Sequence, residues 1–153
     1  MFHFGTGCRR WKNKFMRRDK TQNTNLASEF FIASQLFRLG HVVTLTLGHT
    51  KEIDLVAIRP NDKKVITIDV KGLKNTTNWP VSPKRKEKNH FFILVTWCNK
   101  FDKIDFAPKV FIIPSMEINK VLSKWVGKPN VTCVGYSKIK NSQYKNAWNL
   151  LKK

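Results

Sequence analysis

Two β-rich runs, Ile53 to Arg59 and Val65 to Lys71, are separated only by Pro60, Asn61, Asp62, Lys63 and Lys64. Proline fixes φ, and Asn and Asp side chains bond back to the nearby backbone, so this segment is a strong turn signal. The runs are expected to pair as a hairpin, and any fold for the chain must be built around it. Each run carries a carboxylate among apolar residues: Asp54 between Ile53 and Leu55, Asp69 between Ile68 and Val70. An unpaired buried carboxylate costs several kcal/mol, so such groups usually bind a cation or a charged partner. Side chains two apart on a strand share a face; Asp69 and Lys71 therefore project together while Val70 points the other way. Hairpin pairing can bring Asp54 alongside Asp69. Two carboxylates converging on one point suit a hard cation, Mg²⁺ or Mn²⁺, with positions left for water and phosphate.

Around the hairpin the pattern predicts further elements. Leu26, Phe30, Ala33 and Phe37 recur at steps of four, three and four, predicting a helix from about Asn25 to Leu39. Thr24 or Asn25 can cap its start, and Gly40 suits the left-handed position after its end. Val42 to Leu47 reads as a short strand, Phe91 to Trp97 as a strand buried on both faces, and Lys109 to Ile113 as another that Pro114 ends. Ser115 can then cap a helix to about Val126, followed by a weak strand at Val131 to Tyr136 and a helical stretch from about Ser142. The fold class is α/β, a central mixed β-sheet flanked by helices, with an N-terminal helix before the first strand. Residues 1–22 form a basic arm without a clean period, expected to be a flexible extension, and residues 23–153 a single domain.

Charge narrows the partners. Lys and Arg number 29 against 10 acids, a formal net charge of +19. Such a field attracts polyanions, of which nucleic acid is the commonest in a cell. Cys8, Cys98 and Cys133 are odd in number and widely spaced, which indicates neither a disulfide framework nor a zinc knuckle and fits a reducing, intracellular compartment, cytoplasmic or nucleoid-associated. No apolar run is long enough to span a bilayer, so no membrane partner is expected.

Among so few acids, Asp19, Glu52, Asp62, Glu87 and Asp102 lie beside Lys or Arg or in turns, and solvated pairing accounts for them. What stands out is Asp54, a gap of 14 residues, then Asp69-Val70-Lys71, with Glu29 upstream in Ala27-Ser28-Glu29-Phe30 on the first helix. This arrangement resembles the D…(D/E)-x-K signature of the PD-(D/E)XK nuclease superfamily, which includes restriction endonucleases and archaeal Holliday junction resolvases. Ile53 stands where the named pattern has Pro, and Asp69 where many members have Glu. The resemblance implies a restriction-endonuclease-like sheet and Mg²⁺-dependent hydrolysis of phosphodiesters. It further implies that Asp54, Asp69, the Val70 carbonyl and Glu29 hold or orient the metal and its water, and that Lys71 acts on the attacking water. Resolvase-type members would require a homodimer presenting two sites.

For the nucleic acid, expected to be DNA with RNA not excluded, phosphate contacts are assigned to Lys74, Ser82, Lys84, Arg85, Lys86 and Lys88 downstream of Lys71. Arg9, Arg10, Lys12, Arg17 and Arg18 of the arm are assigned likewise. Trp79, beside Pro80, is read as a plug against the core rather than a base-stacking residue. His3, His41, His49 and His90 show no paired spacing and are read as surface or loop residues. Two other classes compete: a nucleic-acid-binding protein that keeps the fold without catalysis, and a basic RNA-binding protein in which the acids are incidental.

Overall fold

The computed structural model describes residues 7–46, 53–83 and 86–152, with 7–20 described at the level of the backbone. Helix α1 spans Gly7–Arg38. It continues well upstream of Asn25 through most of the segment expected to be a flexible arm. Asn25 therefore does not cap the helix; its Oδ1 accepts a hydrogen bond from Gly72 N instead, at 3.3 Å. Gly40, with φ of 84°, follows the helix in the left-handed conformation that lacks a steric penalty only for glycine.

The buried stripe of α1 also differs from the expected one. Ser28, Ile32 and Leu36, at steps of four, are fully buried, while Phe30 and Phe37 remain 55% and 54% exposed. Apolar residues populate both stripes of this helix, so periodicity alone does not choose between them; the packing against the sheet does.

Strands β1 (Val42–Leu45), β2 (Leu55–Ile58), β3 (Val65–Leu73), β5 (His90–Thr96) and β6 (Lys109–Pro114) form one sheet in the order β1-β2-β3-β5-β6. The expected hairpin is present, with Leu55 opposite Ile68 and Ile58 opposite Val65. β5 lies parallel to β3, with Asp69 beside Phe92 and Lys71 beside Leu94, and every other pairing in this sheet is antiparallel. The sheet is therefore mixed. Strand β5 is buried along its whole length, as the apolar run that begins at Phe91 predicts.

A second sheet was not foreseen. It contains β4 (Asn78–Pro80), β8 (Lys128–Gly135) and β7 (Leu122–Trp125), in the order β4-β8-β7. The region expected to be a helix from Ser115 to Val126 is a 3-10 turn over Ser115–Lys120 followed by β7. After β8 come a single turn of helix α2, Tyr136–Ile139, and a 3-10 turn over Trp148–Leu151 in place of a continuous terminal helix.

The two faces of the main sheet carry separate cores. Ile66, Ile68, Val70, Ile93 and Val95 pack against Ile32 and Leu36 of α1. Phe92, Leu94, Phe111 and Ile113 pack against Trp79 and Val134 of the second sheet. Trp79 is completely buried, and its Nε1 donates to Val95 O at 3.0 Å. It is a plug, as expected, seated on a strand instead of a loop. His41 and His90 are buried rather than surface residues: His41 Nε2 lies 2.9 Å from Leu151 O, and His90 Nδ1 lies 2.9 Å from Thr67 Oγ1. His3 and His49 lie outside the described residues.

Candidate active site

β3 is longer than β2. Strand β2 begins at Leu55, opposite Ile68, so among the described residues no strand lies beside the stretch Asp69–Leu73 on that side. Backbone donors left this way need other partners. Val70 N donates to Asp54 Oδ2 at 2.7 Å, and Gly72 N donates to Asn25 Oδ1. The strand edge is thus finished by side chains from β2's approach and from α1. In a strand, the N–H and C=O of one residue point to the same side. The Val70 carbonyl therefore faces the same unpaired edge as Asp54.

Asp54 reaches that edge through a local irregularity. Its N–H donates to Ile68 O at 2.9 Å although Leu55 is the register partner of Ile68, so two consecutive residues oppose one. This is the arrangement of a β-bulge, which re-aims a side chain without ending the pairing. The carbonyl of Asp54 is held from the other side by Thr46, whose N and Oγ1 donate to it at 3.0 and 3.1 Å. The carboxylate is consequently fixed by backbone bonds on both flanking strands.

Asp69 is buried, and its Oδ1 is ion-paired with Lys71 Nζ, as their shared face predicts. Burial pushes the Asp69 carboxyl up to about 6; Lys71 opposes the shift, and the nearby Asp54 adds to it. Glu29, half-buried on α1, is also raised from its ordinary value, first by burial and then by the charge of Asp54, with Lys71 opposing. Asp54 and Lys71 therefore act electrostatically on both Asp69 and Glu29. Gly72 permits this approach of helix to strand: a Cβ there would lie 2.4 Å from Ser28 Oγ and 2.8 Å from Thr24 O.

Asp54 acts on both Asp69 and Glu29, and a divalent cation at this place would relieve the mutual repulsion of the carboxylates. Among the described residues, however, no three His, Cys, Asp or Glu side chains already converge as a metal cage. The donor set fits a site completed by backbone and solvent oxygens, which is how small hard cations are commonly held.

The expected nucleic-acid contacts divide. Lys86, Lys88 and Ser82 are exposed. Lys74 instead lies over the Phe101 ring, 4.4 Å from its centroid. Lys84 and Arg85 lie outside the described residues, and for Arg9, Arg10, Lys12, Arg17 and Arg18 only the helical backbone is described. The segment after β4 rejoins the sheet at His90, opposite Thr67, two positions before Asp69 along β3. A second basic region went unrecognised in the sequence. From Ile118 to Lys153 there are eight lysines and no carboxylate side chain. That asymmetry was available as a signal in the sequence itself.

The fold is α/β, with an N-terminal helix and a mixed five-stranded sheet. A solved structure of a bacterial homing endonuclease, I-Ssp6803I, matches 86% of this chain and 91% of its own with a TM-score of 0.50 and 15% identity. At that identity the likeness is one of fold. No family model and no curated protein matches the sequence. No helix among the described residues is long and apolar enough to cross a membrane.

Proposed function

We propose that the chain is a metal-dependent endonuclease of the PD-(D/E)XK type that hydrolyses phosphodiester bonds in DNA. The observation that carries the reading is the Asp54–Asp69–Lys71 constellation at the uncovered edge of β3, with Glu29 brought to it by α1. The shared fold with a homing endonuclease supports it independently of the motif. Asp54, Asp69 and the Val70 carbonyl would hold Mg²⁺ or Mn²⁺, with Glu29 orienting water at the same place. Bound there, the cation would supply Lewis-acid stabilisation of charge on the phosphate.

The chain's own groups have separable tasks. Asp54 is anchored by Val70 N and is the rigid member of the set. Lys71, paired with Asp69 in the absence of substrate, is placed to donate to a phosphate oxygen or to the attacking water once Asp69 has another cationic partner. Glu29, with raised proton affinity, is a proton acceptor on the helix side of the proposed site. Lys86 and Lys88 would position the backbone of the substrate without reading its sequence.

The test is an incubation series with supercoiled, linear, single-stranded and four-way-junction DNA, and with RNA, each in Mg²⁺, Mn²⁺ or EDTA. Metal-dependent scission of DNA that is lost in Lys71→Ala and Asp69→Asn is expected. Tight binding with no scission under any metal would assign the chain to the catalytically silent class, and preference for RNA over every DNA would remove the substrate assignment. Preferential cutting of the four-way junction would place it with the resolvase-like members and call for two sites in a homodimer.

A further inference from the structure

The hairpin of β7 and β8 takes no part in the candidate active site, and half of it belongs to neither core. β4 pairs only with Cys133–Gly135 of β8. Two bonds then tie the ribbon to the following residue, Val81 N to Thr132 O at 3.1 Å and Thr132 Oγ1 to Val81 O at 2.5 Å. Beyond Thr132 no further strand among the described residues accompanies the pair; the register shifts between Lys124 and Trp125, which leaves Asn130 in the irregular stretch, and the hairpin closes with Trp125 opposite Lys128 around a turn at Gly127, with φ of 79°. Val81 leads directly into Ser82, so the base of the ribbon adjoins the basic segment that ends at Lys88.

The display on this ribbon is specific in kind. Lys124, Lys128 and Asn130 are exposed, and Val126 at the tip is 95% exposed. Lys128 Nζ stands 5.4 Å from the centre of the Trp125 ring, which ties the two sides of the turn together. No Asp or Glu lies from Ile118 onward, so no side chain in that stretch of sequence offsets the lysines. The major groove of duplex DNA admits a two-stranded β-ribbon, and its base edges are read by Lys against guanine, Asn against adenine and apolar contacts against the thymine methyl.

We infer that the β7–β8 ribbon enters the major groove of duplex DNA and gives the protein a sequence preference, with Asn130 and Val126 as base-reading residues and Lys124 and Lys128 as groove-wall anchors. This rests on the nucleic-acid reading above and adds to it the form of the substrate, a duplex, and a source of specificity. Contacts from Lys86 and Lys88 would fix the register from the adjoining segment.

The test is enrichment of bound sequences from a randomised duplex DNA library by the full chain in EDTA, followed by affinity measurements on the enriched duplex and a scrambled one. A recurrent motif should emerge. Asn130→Ala and Val126→Ser should each reduce the preference for it by about tenfold, in the range expected for one lost base contact, while leaving affinity for the scrambled duplex nearly unchanged. Both residues are exposed, and thermal melting of each variant verifies that the fold is retained. No motif, or a motif kept at full preference in both variants, overturns the inference. Because the readout is binding without metal, absence of cleavage in the incubation series would leave this result standing, and failure here would leave the cleavage result standing.

Discussion

The sharpest residue-scale consequence concerns Asp69. Its carboxyl is raised from 3.8 to about 6, chiefly by burial. An acid whose pKa is higher in the folded state favours folding when protonated; that contribution is complete below its ordinary value and is lost as pH rises through about 6. Metal-free protein should therefore lose stability between about pH 4 and 7 relative to Asp69→Asn, read as the difference between their melting temperatures across pH. Mg²⁺ should restore the wild type and not the variant at pH 7. Parallel melting curves for the two proteins would mean that Asp69 does not carry the strain assigned to it. Gly72 offers a purely steric counterpart. Gly72→Ala should cost about 1–3 kcal/mol in urea unfolding, since its Cβ meets both Ser28 Oγ and the carbonyl of Thr24, and the backbone oxygen has little room to give.

At the scale of elements, Trp79 shows how the second sheet is held. Trp79→Phe keeps an aromatic ring but removes the bond to Val95 O, and should cost about 1 kcal/mol in chemical denaturation. Trp79→Ala also empties the space and should cost about 3–5 kcal/mol. An equal loss in both would show that the ring's packing is not what secures this sheet. The same elements explain what could be read in advance. The β2–β3 hairpin was legible because a local turn signal separates two β-rich runs, and the Asp69–Lys71 pairing because strand periodicity alone sets it. The second sheet was not legible. β4 is only three residues long, and Val121 and Trp125 fall at helical spacing after a Pro-Ser start signal. Pairing between β7 and β8 is decided by the turn at Gly127 and by contact with the distant β4. The irregularity that turns Asp54 along the edge of β3 depends on Asp54 N reaching Ile68 O although Leu55 is the register partner of Ile68, which composition does not encode. In α1 the choice of the Ser28–Ile32–Leu36 stripe over Phe30 and Phe37 was likewise made by the sheet it covers.

On the scale of the whole molecule, the site lies where a long central strand outruns its described neighbour, in a chain of net charge +19. On the proposed DNA reading, that charge makes phosphate contacts and counterion release dominate binding. For six to ten such contacts, affinity for a generic duplex should fall by roughly 10³–10⁵ between 50 and 200 mM salt. A shallow salt response in fluorescence anisotropy would count against a phosphate-tracking surface. The most direct test of the central claim is single-turnover cleavage of duplex DNA by wild type and by Lys71→Ala, in Mg²⁺ and in EDTA, with binding measured in parallel. The account predicts scission by the wild type in Mg²⁺ alone and DNA binding by both proteins. Cleavage by Lys71→Ala at the wild-type rate, or cleavage that persists in EDTA, would contradict it.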